Sequence, residues 1–136
     1  MKKLIFPFLL LISLFSCQKD EENNNSSGSA ISINGTWVCE ESSQLLGNSI
    51  YSVNISPHSS ITNRVVMDNF YNLGVQISNA QIDVSGNNLT LFSQNINGFD
   101  VNGSGTIVNN SKINLSYTAE DGSGIDNVTA VFTKTN

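Results

Sequence analysis

The chain of 136 residues has one histidine, two cysteines, two prolines and one tryptophan, and only 12% of its side chains are charged. Each scarcity excludes something. His58 follows Pro57 in the turn-like segment Ser56-Pro-His-Ser-Ser60. A general base needs an orienting partner, and there is neither a second histidine nor a Gly-x-Ser-x-Gly elbow from which to build a serine triad. No catalytic residue is assigned, and the protein is read as a non-enzyme. No histidine or cysteine cluster has metal-ligand spacing. Asp121-Gly-Ser-Gly-Ile-Asp126 could offer oxygens to calcium, but it lacks the alternating acidic positions of a helix-loop-helix calcium loop and reads as a hairpin loop. Neither a metal nor a cofactor is expected. Beyond residue 30 the only basic residues are Arg64, Lys112 and Lys134, far apart in sequence. Phosphate binding needs a clustered basic surface, so nucleic acid is not an expected partner.

Long apolar runs are also scarce, with one exception at the start. Lys2 and Lys3 precede the stretch Leu4 to Ser16, and Cys17 separates that stretch from Gln18-Lys-Asp-Glu-Glu22. A positive n-region, an apolar h-region and a small residue before the cut make an export signal. A helix over Leu4 to Ser16 would rise about 20 Å against a hydrocarbon core of roughly 30 Å, too short for a permanent span. Residues 1–16 are therefore read as a signal peptide cleaved between Ser16 and Cys17. Removing them takes Lys2 and Lys3 and leaves four basic against eleven acidic side chains.

Leu14-Phe15-Ser16-Cys17 resembles the lipobox of bacterial lipoproteins, in which the cysteine thiol receives a diacylglycerol. That resemblance implies a lipidated Cys17, a stable membrane anchor once more than one acyl chain is attached. Gln18-Lys19-Asp20-Glu21-Glu22 is similar to the acidic export segments of surface lipoproteins of the Bacteroidota, which implies the outer face of the outer membrane. Asn23-Asn-Asn-Ser-Ser-Gly-Ser29 has nothing to bury and reads as flexible tether, so residues 17–30 are anchor and spacer and 31–136 form one domain. With Cys17 committed to lipid, Cys39 has no intramolecular partner. It lies in an alternating apolar stretch, where a buried, inert thiol is expected.

From Trp37 onward the apolar residues recur at period two and not at helical spacing. In Lys112-Ile-Asn-Leu-Ser-Tyr-Thr118, Ile113, Leu115 and Tyr117 share one face. Val128, Ala130 and Phe132 repeat the pattern, as do Tyr51, Val53 and Ile55. Turn residues punctuate these runs about every ten residues, as at Gly86-Asn87-Asn88 and Glu120-Asp-Gly-Ser-Gly124. The glycines at 98, 103 and 105 mark a bulged or bent strand. The strands expected are 35–41, 49–56, 60–70, 73–78, 80–85, 88–93, 101–109, 111–119 and 126–134. The fold class is all-β, an antiparallel meander closing into an up-and-down barrel of about eight or nine strands, with a β-sandwich as the alternative.

Gly35-Thr36-Trp37 resembles the Gly-x-Trp signature of lipocalin-like barrels, and residues 31–136 are similar to small lipocalin-like lipoproteins of the Bacteroidota. The resemblance implies that Trp37 plugs the barrel floor. The arginine that lipocalins stack on this tryptophan is absent, and Lys134 alone could serve. The inner face would draw on Trp37, Tyr51, Val53, Phe92, Ile113, Leu115, Tyr117 and Phe132. Trp37, Tyr51, Phe92, Tyr117 and Phe132 are the candidate ligand contacts, and Phe70, Tyr71 and Phe99 near expected loops are further contact candidates. So short a chain makes a filled interior the expected state. Two functions follow. One is an outer-membrane, surface-exposed binding module for a small apolar ligand, a glycan or a protein. The other is an accessory lipoprotein that docks onto an outer-membrane assembly and takes no small ligand.

Overall fold

The computed structural model describes residues 32–136. The signal peptide, the Ser16/Cys17 cleavage site, the lipidated Cys17 and the tether lie outside the described residues. Eight strands run in order: β1 Gly35–Ser43, β2 Gly47–Pro57, β3 Arg64–Asp68, β4 Ala80–Ser85, β5 Asn88–Ile96, β6 Phe99–Asn109, β7 Lys112–Glu120 and β8 Ile125–Lys134. Each pairs antiparallel with its neighbours in sequence, and β8 returns to β1, with Trp37 opposite Lys134 and Ser43 opposite Val128. The sheet is thus a closed up-and-down barrel and not a sandwich. Closure pairs every strand on both sides and leaves no edge to recruit another chain.

Alternation sets the inside and the outside. Trp37, Cys39, Val53, Ile55, Ile113, Leu115, Tyr117, Val128, Ala130 and Phe132 point in and are buried. The facing-out set on β6 to β8 includes Asn102, Ser104, Thr106, Asn114, Ser116 and Thr129, all exposed, and the half-buried Thr118. An apolar lumen inside a polar wall reverses the pattern of a membrane-spanning barrel. The lumen is filled by side chains, with Trp37, Phe70, Phe132, Met67 and Ile82 all at 1% exposure or less.

Two expected strands changed. The expected strand 60–70 shortens to β3, because His58 Nδ1 accepts the backbone N–H groups of Ser60 and Ile61, each at 3.1 Å, and bends the chain into a loop. The expected strand 73–78 does not form. Its alternation of Leu73, Val75 and Ile77 is that of a strand, but Val75 and Ile77 are 65% and 63% exposed. Polar side chains upstream claim its backbone instead. Asp68 accepts from Asn69 N–H and Gln76 N–H at 2.9 and 2.6 Å, and Asn69 Oδ1 accepts from Gly74 N–H at 3.0 Å.

The bend expected from the glycines sits on β6. An ideal Cβ on Gly103 would lie 2.3 Å from the carbonyl oxygen of Ser116 and 2.5 Å from Cβ of Tyr117. β6 and β7 approach there more closely than side chains allow, and β5 opposite carries a register shift between Leu91 and Gln94. A side-chain-free kink beside a bulge is how a sheet turns a barrel corner. Gly98 belongs instead to the β5–β6 turn, with φ of +94°.

Candidate functional site at the barrel mouth

The two ends of the barrel differ. At one end, where the described chain begins, Trp37 closes the floor: its indole N–H donates to the Ile33 carbonyl at 2.9 Å, and Lys134 Nζ lies 5.5 Å from the ring centroid. The lysine thus takes the cation position over the tryptophan that the lipocalin resemblance implied. The other end, the mouth, is bounded by the β1–β2, β5–β6 and β7–β8 turns and by the β3–β4 connection.

That connection folds over the mouth. Phe70 and Tyr71, which lie on this loop connection, insert into the lumen at 1% and 6% exposure, and of the two Tyr71 lines the mouth cavity. Phe70 packs on Tyr117 with ring centroids 4.7 Å apart, and Tyr71 meets Phe99 at 5.3 Å and Tyr117 at 6.0 Å. Asn69, Tyr71 and Asn72 have φ of 62°, 55° and 53°. Left-handed backbone at non-glycine residues costs roughly 1 to 2 kcal/mol each, here offset by the two buried rings.

Beside the rings the mouth end of the lumen carries two acids. Glu41 and Asp126, 5% and 2% exposed, point inward from β1 and β8. Glu41 Oε2 accepts from the hydroxyls of both Tyr51, at 2.5 Å, and Tyr117, while Ser49 reaches Oε1 at 3.5 Å. Asp126 Oδ2 accepts from Ser43 Oγ at 2.5 Å and Tyr71 Oη at 2.6 Å, and Oδ1 accepts Leu45 N–H at 3.0 Å. Burial works to raise the Asp126 pKa, but the donors Ser43, Tyr71, Leu45 and Gln44 outweigh it and hold the carboxyl below its ordinary value. Burial, together with the neighbouring acids, pushes the Tyr51, Tyr71 and Tyr117 hydroxyls up, so all three stay protonated donors. Burial likewise pushes the Cys39 thiol up to about 12, so it is not a thiolate nucleophile near neutral pH. No buried side-chain nitrogen or oxygen among the described residues lacks a partner.

Three of the five candidate ligand contacts, Trp37, Tyr117 and Phe132, lie in the lumen fully buried, and Tyr51 is half-buried with its hydroxyl on Glu41. Phe92 does not join them. Leu89 and Leu91 take the inward positions of β5, and Phe92 lies on the outer wall under Arg64, whose guanidinium carbon is 4.4 Å from its centroid. Arg64 is held there by Asp83, with Nε to Oδ1 at 2.6 Å. Glu41, Ser43 and Asp126 were not singled out from sequence. The signal was present: they share parity with Trp37 and Cys39 on β1 and with Val128 and Phe132 on β8, so an acid at an inward position could be read directly.

Charge is separated along the barrel axis. Among the described residues the basic side chains Arg64, Lys112 and Lys134 sit at the floor end, as do His58 and one acid, Asp83, which pairs with Arg64. Asp68, Asp100, Glu120, Asp121 and Asp126 sit at the mouth, with Glu41 just inside. The mouth rim also carries exposed Leu45 (60%), Leu46 (74%) and Ile125 (55%). A cavity of about 130 Å³ opens there between Tyr71, Phe99, Leu45, Leu46, Asp121 and Asp126. A larger concavity of about 530 Å³ on the outer wall is lined by short polar side chains such as Ser42, Ser104, Ser116 and Thr129. Sites for small ligands are concave and mostly apolar with few placed polar groups, which favours the mouth.

No protein-family model matches the chain, and no curated protein matches it. Among solved structures it is similar to a redesigned β-barrel, with a TM-score of 0.56, 16% identity, and coverage of 76% of this chain and 92% of that one. It is similar also to EF1p2_mFAP2b, described as bound to DFHBI, with a TM-score of 0.55, 15% identity, and coverage of 76% and 94%. At such identities the likeness is one of fold: this chain is a small β-barrel module.

Proposed function

We propose that the protein is a lipid-anchored, surface-exposed module of the outer membrane whose barrel mouth takes a small ligand. The observation that carries this reading is the placement of the mouth cavity, lined by Tyr71, Phe99 and Asp126, at the end opposite the start of the described chain. Lys134 Nζ is 3.4 Å from the Ser32 carbonyl, so a tether running back from Ser32 to Cys17 leaves from the basic floor. A barrel anchored in that way leaves its mouth free at the end away from the tether. That a barrel of the same fold, EF1p2_mFAP2b, is described as bound to DFHBI supports the idea that such a frame carries a ligand.

Mass spectrometry tests both halves. Intact mass of the protein from its own host is expected to show an acylated Cys17 as the first residue, and gentle native spectra a co-purifying small mass. An unmodified Cys17 would remove the anchor. Absence of any bound mass, with no compound disturbing the mouth, would remove the ligand. The docking alternative has its own observation, since Ile50, 73% exposed, and Val131 flank Glu40 on the outer wall. It predicts a stoichiometric membrane partner in detergent extracts that Ile50→Asp releases.

A further inference from the structure

The mouth cavity has a chemistry that selects among small ligands. It is walled by two aromatic rings, Tyr71 and Phe99, inclined at 71°, and by the aliphatic side chains of Leu45 and Leu46. Its polar side chains are two carboxylates, Asp121 and Asp126, with the hydroxyls of Ser123 and Tyr71 donating to them. Among the described residues the single ion pair is Arg64–Asp83, on the outer wall near the floor, so no basic side chain neutralises this end.

The way Asp126 is satisfied narrows the ligand further. Its two oxygens already accept from Ser43, Tyr71 and the Leu45 N–H, so it contributes negative charge rather than a free acceptor. Asp121 Oδ1 is similarly engaged by Ser123 N–H at 3.0 Å and Ser123 Oγ at 2.6 Å. Of the four carboxylate oxygens at this cavity, Asp121 Oδ2 alone accepts no hydrogen bond. A primary ammonium thus finds one open acceptor for three N–H donors and must satisfy the others from solvent at the exposed rim. An alkylated ammonium has no such demand. Its charge is spread over methyl groups that lie against rings and aliphatic walls, and aromatic rings attract it through their quadrupole. Size agrees as well: an apolar cavity of about 150 Å³ admits one benzene ring, and the mouth offers about 130 Å³.

We propose that the cavity between Tyr71, Phe99, Leu45, Leu46, Asp121 and Asp126 binds the quaternary or alkylated ammonium group of a small organic cation. This rests on the ligand-binding reading above and names the ligand class for the same mouth. The test is an NMR titration of the ¹⁵N-labelled full chain in detergent micelles with three compounds: choline, its neutral carbon isostere 3,3-dimethylbutan-1-ol, and ethanolammonium. Choline has few heavy atoms, so dissociation constants in about the millimolar range are expected. Choline is expected to shift the amides of Leu45, Leu46, Ser123 and Gly124 saturably, at least about fivefold more tightly than either of the others. Phe99→Leu removes one ring from a partly exposed position and is expected to weaken choline about two- to thirtyfold, the range of a single cation–π contact. Asp121→Asn, at an exposed turn, is expected to weaken it about two- to threefold, and more at low salt than at high. The amide spectrum itself reports whether each variant is folded. If the neutral isostere saturates the same amides as tightly as choline, the cationic assignment fails and the binding reading stands. If neither choline nor the isostere moves these amides by about 50 mM, the ammonium assignment fails, and the ligand reading falls with it only if native spectra also show no bound mass.

Discussion

Replacing Gly103 with alanine is the sharpest test of the barrel geometry. The added Cβ would sit 2.3 Å from Ser116 O and 2.6 Å from Tyr117 Cα, where ordinary contact begins near 3.4 Å. The obstructing atoms are Ser116 O and the Cα and Cβ of Tyr117 on the paired strand, all fixed by the backbone, so no rotamer change relieves the overlap. β6 must move by about 1 Å away from β7, which takes the local ladder outside its normal spacing of about 4.8 Å. Overpacking costs typically 1 to 3 kcal/mol, and a backbone clash of this size belongs at or above the top of that range. For a domain of about one hundred residues, a loss of about 3 kcal/mol lowers the thermal midpoint by roughly 12 °C or more. The urea midpoint should fall by about 1 to 3 M. Urea titration followed by the fluorescence of the single, buried Trp37 measures it. Two controls separate space from backbone conformation. Gly86→Ala meets nothing within 4 Å but has φ of +58°, so it should cost only about 1 to 2 kcal/mol. Gly124→Ala has open space and no positive φ, and should be neutral or stabilising by up to about 1 kcal/mol. If Gly103→Ala and Gly124→Ala unfold at the same urea concentration, the close approach of β6 to β7 and the corner built on it are refuted.

Other outcomes follow from the lumen. Cys39, with its thiol pushed up to about 12, should resist a disulfide reagent such as DTNB at pH 8 until urea unfolds the barrel; rapid labelling of native protein would contradict its burial. Asp126 has a pKa held below its ordinary value. Its contribution is therefore fully present above the unfolded value of about 3.9 and is lost as pH falls through the folded one. Denaturation curves at stepped pH should show that acid-limb loss in the parent chain and a smaller one in Asp126→Asn, which should itself cost about 1.5 to 3 kcal/mol near neutral pH. Tyr117→Phe withdraws a buried donor from Glu41 and should cost about 1.5 to 3 kcal/mol, more than Tyr51→Phe, whose side chain is half-exposed. Equal, negligible losses in the two would mean that Glu41 does not depend on these hydroxyls.

Strand positions were legible where alternation and turn chemistry agreed. Lys112 to Thr118 and Val128 to Phe132 fall inside β7 and β8 with the expected faces, and Gly86-Asn87-Asn88 closes the β4–β5 hairpin. Leu73, Val75 and Ile77 show where the same rule fails. Alternation reports which side chains could share a face, but not whether the backbone is free to pair. Here Asp68 and Asn69 had already taken the Gln76 and Gly74 N–H groups. Phe92 failed for a different reason: Leu91 and Phe92 are adjacent apolar residues, and parity chooses only one of them for the lumen.

The sequence alone determined what depends on local periodicity: an all-β meander, a lumen built on Trp37, Tyr117 and Phe132, and a buried thiol at Cys39. Tertiary structure decided what depends on residues far apart in the chain. Closure of β8 on β1 brings Asp126 beside Ser43 and Leu45, and insertion of the β3–β4 connection sets Tyr71 on that carboxylate. The physical reason is that a strand's period fixes only which way a side chain points. What it points at is set by the packing of all eight strands into one barrel.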